Sequence, residues 1–262
     1  MTHTTWIPLP DGNRLAADTA GDGPAVILLH AGIADRRMWD QQVRAVLQHH
    51  RVIRYDQRGF GRSPAPTAPF APVSDLMAVL DHFDVRSATL VGASLGGRIA
   101  VDFAIQHPDR TRSLVLAAPG ITGIPLPPGK QAAAFAEAAA RRDFTRFVDI
   151  AVRLWAPLAP HSETTLTIRR MITDNLTGFT LPPDLSRWGS PPATQRLHEL
   201  CCPVDLITAI HDTPHAAKVA RSIADALPAQ QLICHSLDSD HLIPVRAAAS
   251  FNALLLQALS RA

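Results

Sequence analysis

Thr89-Leu-Val-Gly-Ala-Ser-Leu-Gly-Gly97 is the stretch that decides the fold. Apolar residues run into Gly92, and helical character begins at Gly96-Gly97. Between them, Gly92-Ala93-Ser94-Leu95-Gly96 fits the pattern Gly-x-Ser-x-Gly. The chain must leave a strand, turn sharply and enter a helix, which holds Ser94 in a strained backbone conformation with its hydroxyl at the tip of the turn. Glycine is required at 92 and 96 because a side chain at either place would collide with the neighbouring strand or helix. The first helix amides point at the space where negative charge would develop on a reacting oxygen.

Outward from this elbow the chain alternates strand and helix. Towards the N-terminus, Ala25-Val-Ile-Leu-Leu-His30 is an unbroken apolar run, as expected of a parallel strand buried on both faces. Residues 35–48 predict a helix, and Arg51-Val-Ile-Arg-Tyr55 a strand that runs into Asp56-Gln-Arg-Gly-Phe-Gly-Arg-Ser63. Thr4–Leu9 and Asn13–Thr19 flank the turn Pro10-Asp11-Gly12 and predict an edge hairpin. A helix over 73–83 leads to the elbow strand. Beyond the elbow helix, Pro108 stops the helix and Arg112–Ala117 is the next strand. The rhythm resumes with strand 203–210, helix 215–226, strand 230–236 and a closing helix over 245–259. The pattern implies an α/β fold with a mostly parallel, eight-stranded sheet, right-handed crossovers and flanking helices.

Between residues 119 and 200 the rhythm breaks. This segment holds Pro125-Leu-Pro-Pro128, an alanine run over 132–140, and helical stretches near 142–154 and 162–175. It also carries Phe135, Phe144, Phe147, Trp155, Phe179 and Trp188. It predicts a helical lid, inserted after the sixth strand, above the strand ends where open α/β sheets bind ligands. Residues 1–118 and 201–262 then form the core and 119–200 the lid.

Composition narrows the function classes. With 262 residues, 47% apolar and 18% charged, the chain supports a large core and an ordinary soluble surface. A net charge of +2 gives no basic field for nucleic acid. No apolar stretch approaches the ~18 residues of a membrane span, and no signal peptide is evident, so a cytoplasmic protein with no membrane partner is expected. Cys201, Cys202 and Cys234 lack metal-ligand spacing and are expected as reduced thiols. His211 and His215 have the spacing of a metal pair on a helix, but Pro214 stands between them and no third ligand follows, so no metal is expected.

Leu28-Leu-His-Ala-Gly32, Asp56–Ser63, the elbow, and an aspartate and histidine in the right order further on together resemble the α/β-hydrolase superfamily. The stretch from Arg37-Met-Trp39 to Arg62-Ser63-Pro64 is similar to the 3-oxoadipate enol-lactonase-like and small carboxylesterase group. The resemblance implies a nucleophilic serine, then an acid, then a histidine, with neither cofactor nor metal. Ser94 is the nucleophile in this scheme. Asp212, just past Val204–Ile210, holds one imidazole N–H, while Asp205 competes from the wrong edge of the sheet. His241, in Asp238-Ser-Asp-His-Leu-Ile-Pro244, is the base, and His235 lies within an apolar strand. The resemblance also implies an oxyanion hole from the Leu95 amide and the loop after His30. There, His30-Ala31-Gly32 replaces the usual His-Gly, so Gly32 supplies the second amide by position and Ile33 is the alternative. His30 and Asp56–Ser63 are expected to brace their loops, and Arg98 to lie on the helix surface or in an ion pair.

The implied substrate is a small carboxylic ester or lactone in an apolar pocket, bound by a monomer or homodimer. The lid arginines Arg141, Arg142, Arg146, Arg153, Arg169 and Arg170 face either a substrate carboxylate or solvent. A carbon–carbon bond hydrolase, a perhydrolase or a cyclase would use the same residues, and a small-molecule receptor would keep them with slow turnover.

Overall fold

The computed structural model describes residues 4–125 and 130–261. Eight strands form one sheet: β1 (Thr5–Pro8), β2 (Arg14–Ala20), β3 (Ala25–Leu29), β4 (Arg51–Tyr55), β5 (Ala88–Ala93), β6 (Thr111–Ala117), β7 (Val204–Ala209) and β8 (Leu232–Leu237). Their order is β1-β2-β4-β3-β5-β6-β7-β8. The first two are antiparallel to their neighbours and the rest are parallel. The core helices are α1 (Asp40–Val46), α2 (Pro72–His82) and α3 (Leu95–Gln106). Between β6 and β7 lie α4 (Lys130–Ala140), α5 (Phe144–Trp155), α6 (Glu163–Asp174) and the short α7 (Leu176–Phe179). Last come α8 (Pro214–Ala226), the short α9 (Ile243–Arg246) and α10 (Ala248–Leu259).

Period-two alternation explains how the strands bury both faces. Ile27, Leu29, Leu90, Leu114, Leu116 and Leu206 point to one layer, where α2, α3 and α8 supply Leu76, Leu80, Phe103 and Ile223. Val26, Leu28, Val91, Val115 and Ile207 point to the other, against Val43 and Val46 of α1 and Phe251 and Leu255 of α10. This second layer continues into the segment between β6 and β7 through Val148, Ala151, Ile168 and Met171. The inserted helices therefore share a core with the sheet.

Side chains set the helix boundaries. Ser162 accepts a hydrogen bond from Thr165 N at the start of α6, and Thr213 accepts one from Ala216 N at the start of α8. The alanine run forms most of α4, in keeping with alanine's helix propensity. Pro125-Leu-Pro-Pro128 lies outside the described residues from 126 on. The expected closing helix over 245–259 is two helices, α9 and α10, meeting at Ala247, where φ and ψ are −115° and 43°.

Topology places a crevice. β3 leads to β4 on one side, and the chain then crosses to β5 on the other side of β3. The loops after β3 and β5 diverge there, and an open α/β sheet binds ligands at such a switch point. One loop begins at His30 and the other is the turn at Ser94.

Candidate active site at the sheet switch point

Ser94 has φ 49° and ψ −110°, a conformation that costs a non-glycine residue on the order of 1–3 kcal/mol and is held by its surroundings. The tight approach behind it confirms the need for glycine at two positions. A Cβ on Gly92 would lie 2.6 Å from Gly97 N, and one on Gly96 would overlap the carbonyl oxygen of Leu29. Ser94 N donates to Ala117 O of β6 at 3.1 Å, and Ser94 O accepts from Arg98 N and Gly120 N. The turn is thereby fixed to the end of β6 and to its own helix.

Ser94, Asp212 and His241 meet at this point. His241 Nε2 is 2.9 Å from Ser94 Oγ. On the other side of the ring, Nδ1 lies 2.8 Å from Asp212 Oδ2 and 3.0 Å from Oδ1. Asp212 Oδ1 also accepts from Thr213 N at 2.6 Å. Asp212 follows β7 and His241 follows β8, so all three sit on the carboxyl-end rim of the sheet. The competitors are elsewhere: Asp205 pairs with Arg261 at 2.6 Å and lies 3.5 Å from His235.

The loop after β3 is held by His30, which is fully buried. Its Nδ1 donates to Ala31 O at 2.8 Å, so Nε2 is the acceptor for Gln57 N at 2.9 Å. Burial lowers the His30 pKa and keeps this tautomer neutral. Gln57 Nε2 closes the bridge on His30 O at 2.8 Å. The Asp56–Ser63 turn braces the same region. Asp56 accepts from the backbone N of Arg36 and Arg62 and pairs with the Arg36 guanidinium, while Ser63 Oγ donates to Asp56 O. Among the described residues, the Gly32 and Ile33 amides have no backbone acceptor. The Leu95 amide, first in its helix, has no intrahelical one. Gly32 faces Leu95: a Cβ built on it would lie 3.2 Å from Leu95 Cδ2.

Inserted aromatics reach the site. The Trp155 ring is 6.4 Å from that of His241, Phe135 stacks on Trp155 at 5.3 Å, and Phe147 meets Phe135 edge-on. Phe144 is exposed. Beside Leu95 is a cavity of about 120 Å³, lined by Tyr55, Phe60, Phe70, Ile99 and Trp188 among others. Sequence reasoning missed this cavity, since its wall comes from four separate parts of the chain.

Arg98 corrects an expectation. It is half-buried rather than on the surface, and among the described residues it forms no ion pair. Its Nε is buried without a hydrogen-bond partner, and its guanidinium lies over the Trp188 ring, 5.2 Å from the centroid. Asp102, one turn on, accepts from Thr122 Oγ1 at 3.0 Å, and burial pushes its pKa up to about 6. An acid whose folded pKa exceeds its unfolded value binds more protons when folded. Stability is then full below about pH 4 and falls as pH rises towards 6. Asp102→Asn should therefore raise stability by about 2 kcal/mol above pH 6, with no gain below pH 4. Thermal melts of both proteins across that range check this, and a pH-independent difference would contradict it.

The arginines of the inserted segment face outward. Arg141 and Arg146 pair with Glu137 at 3.2 Å, Arg169 pairs with Asp149 at 2.6 Å, and Arg142, Arg153 and Arg170 are exposed. Exposed His211 contacts Asp238 at 2.9 Å, and no group of three or more potential metal ligands occurs among the described residues. No helix among them is long and apolar enough to cross a membrane.

Solved structures of the same architecture exist. A thermophilic esterase from Thermogutta terrifontis superposes with a TM-score of 0.84 at 24% identity, covering 99% of this chain and 98% of that one. The enol-lactonase from Burkholderia xenovorans superposes with a TM-score of 0.80 at 23% identity, covering 98% and 100%. In sequence, 3-oxoadipate enol-lactonase 2 of Acinetobacter baylyi is 34% identical over 99 residues, which is 37% of each chain. The chain spans 33–43% of the length of the curated relatives it matches. The family model for the alpha/beta hydrolase fold matches residues 24–180, more than half of the chain. With the elbow, the switch point and the strand order in place, the chain belongs to the α/β-hydrolase family.

Proposed function

We propose that the protein is a serine hydrolase that cleaves a small carboxylic ester or lactone through an acyl-enzyme on Ser94. The observation that carries this reading is the unbroken hydrogen-bond chain from Ser94 Oγ through His241 to Asp212. A serine hydroxyl is a weak nucleophile until a base in reach accepts its proton, and His241 Nε2 is in reach. Asp212 fixes the Nδ1–H tautomer and stabilises the imidazolium that forms.

In the first half-reaction Ser94 Oγ bonds to the carbonyl carbon as its proton passes to His241. The carbonyl oxygen becomes an oxyanion between the Leu95 and Gly32 amides. Collapse of this intermediate breaks the ester C–O bond, and His241 returns the proton to the leaving alkoxide. In a lactone that alkoxide stays tethered to the acyl group. Water then repeats the sequence, with His241 taking its proton, and releases the acid and Ser94. Trp155 and Phe135 act as the lid over this step, keeping bulk water from the charged intermediates. The esterase and enol-lactonase likenesses support this substrate class.

The test is intact mass after treatment with a serine-directed fluorophosphonate, alongside hydrolysis of short p-nitrophenyl esters and a lactone panel. One adduct on the wild type, none on Ser94→Ala, and ester or lactone turnover that requires Ser94 are expected. Absence of both adduct and Ser94-dependent turnover would leave a receptor with slow turnover as the better reading.

A further inference from the structure

We infer that Asn175 is a positioning residue for the reaction: it fastens the inserted segment to the loop that carries the Gly32 amide, so that oxyanion stabilisation depends on this side chain. This rests on Ser94 as the nucleophile and deepens that reading. Asn175 caps the C-terminal end of α6 and is 1% exposed. Its amide is shared among three parts of the chain. Nδ2 donates to Asp35 Oδ2 at 2.9 Å and to Met171 O of α6 at 2.6 Å, while Oδ1 accepts from Gly61 N at 2.6 Å. These partners fix the amide's orientation, because the two acceptors must face the NH₂ group and the donor must face the oxygen.

The loop in question runs from His30 to Asp35. Ala34 N donates to Ala31 O at 3.0 Å, closing a turn around Gly32 and Ile33. His30 holds its near end through Gln57. Asp35, also 1% exposed, is its far end. Burial disfavours the charge of the Asp35 carboxylate, but hydrogen bonds from Arg37 and Asn175 outweigh it and hold the pKa down at about 2. Arg37 lies two residues along the same segment, and its outward contact with Asp174 joins two half-exposed side chains, which contributes little. Among the described residues, Asn175 is the buried side chain of the inserted segment that hydrogen-bonds residues 30–35. It meets the loop a second time through Gly61, whose turn includes Asp56, the acceptor for Arg36 N. An oxyanion donor displaced by about 1 Å loses on the order of 100-fold in rate.

The test measures a short p-nitrophenyl ester with wild type, Asn175→Leu and Asn175→Asp across about pH 5–8, with a melting curve for each. Asn175→Leu should lower kcat by about 10- to 100-fold with KM within about threefold, because the oxyanion forms only on the way to the transition state. Its ratio to wild type should not vary with pH. In Asn175→Asp, two adjacent buried carboxylates share a proton, which raises the pKa of the pair. Arg37 keeps Asp35 ionised, so the proton sits on the new carboxyl; Asp174 lies beyond Arg37, Asp56 pairs with Arg36 across the Gly61 turn, and burial keeps His30 neutral. Protonated, the new side chain donates to Asp35 and accepts from Gly61 N. Ionised, it repels Asp35 and releases the loop. The kcat ratio of Asn175→Asp to wild type should therefore rise about tenfold as pH falls across that range. Lower melting temperatures with wild-type kcat and pH profile would mean a merely structural role and overturn the inference. Should Asn175→Leu fail to fold, the Asn175→Asp ratio decides alone: a pH-dependent ratio supports the role and a flat one overturns it. If the wild type shows no Ser94-dependent turnover, the hydrolase reading fails separately, and amide hydrogen exchange of residues 31–35 decides this one. Faster exchange in the folded variant supports the tie, and unchanged exchange overturns it.

Discussion

Ser94→Ala is expected to lower kcat for an activated ester by about 10⁵- to 10⁶-fold with little change in KM. The size follows from what the side chain does. Removing the hydroxyl removes the covalent path, and the remaining groups can only assist direct attack by water. What survives is the oxyanion site and substrate binding, together worth roughly 10³- to 10⁴-fold over the uncatalysed reaction. The fold should not suffer: among the described residues Ser94 Oγ bonds only His241, and alanine at φ 49° is no more strained than serine. Steady-state kinetics with a melting curve checks both halves. A loss below about tenfold, with the melt unchanged, would mean that Ser94 is not the nucleophile.

Asp212→Asn should cost about 10⁴-fold in kcat at neutral pH while the protein stays folded. The local geometry decides which way the amide sits. Oδ1 of Asp212 accepts from Thr213 N at 2.6 Å, and asparagine can keep that bond only by placing its carbonyl oxygen there. Its NH₂ group then faces His241 Nδ1. The ring must accept at Nδ1 and carry its proton on Nε2, which turns the wrong end of the base towards Ser94. Fluorophosphonate labelling should slow in parallel, because it draws on the same deprotonation. A mutant with slow turnover but undiminished labelling would show that Asp212 serves a later step.

Much of the site is legible in the sequence because it depends on local chemistry. Gly92 and Gly96 mark a close approach that only glycine allows, and apolar runs at 25–29 and 88–92 mark buried parallel strands. Asp212 follows the buried strand β7 and His241 the more exposed edge strand β8, so the sheet brings them to one rim although 29 residues separate them. Arg98 was not legible. Its periodicity on α3 is compatible with surface or core, and the ring it lies over, Trp188, is some ninety residues away. The break at Ala247 was equally hidden, since 245–259 is apolar enough for one continuous helix. The lid arginines were ambiguous for a related reason: which face of a short helix meets the core depends on Phe147 and Ile150 packing against their neighbours.

The inserted helices are tied to the histidine loop as well as packed above it. Arg246, five residues after His241, donates to Ser162 Oγ at 3.3 Å and Thr165 Oγ1 at 2.9 Å, and holds Asp240 at 3.0 Å. Leu158 N reaches Asp240 Oδ2 at 3.4 Å. The start of α6 and the loop bearing the base thus form one mechanical unit. A graft of this segment from a relative has to bring a matching residue at 246, or the imidazole loses its footing. Evolution of new specificity by exchanging the inserted segment is constrained at this strut.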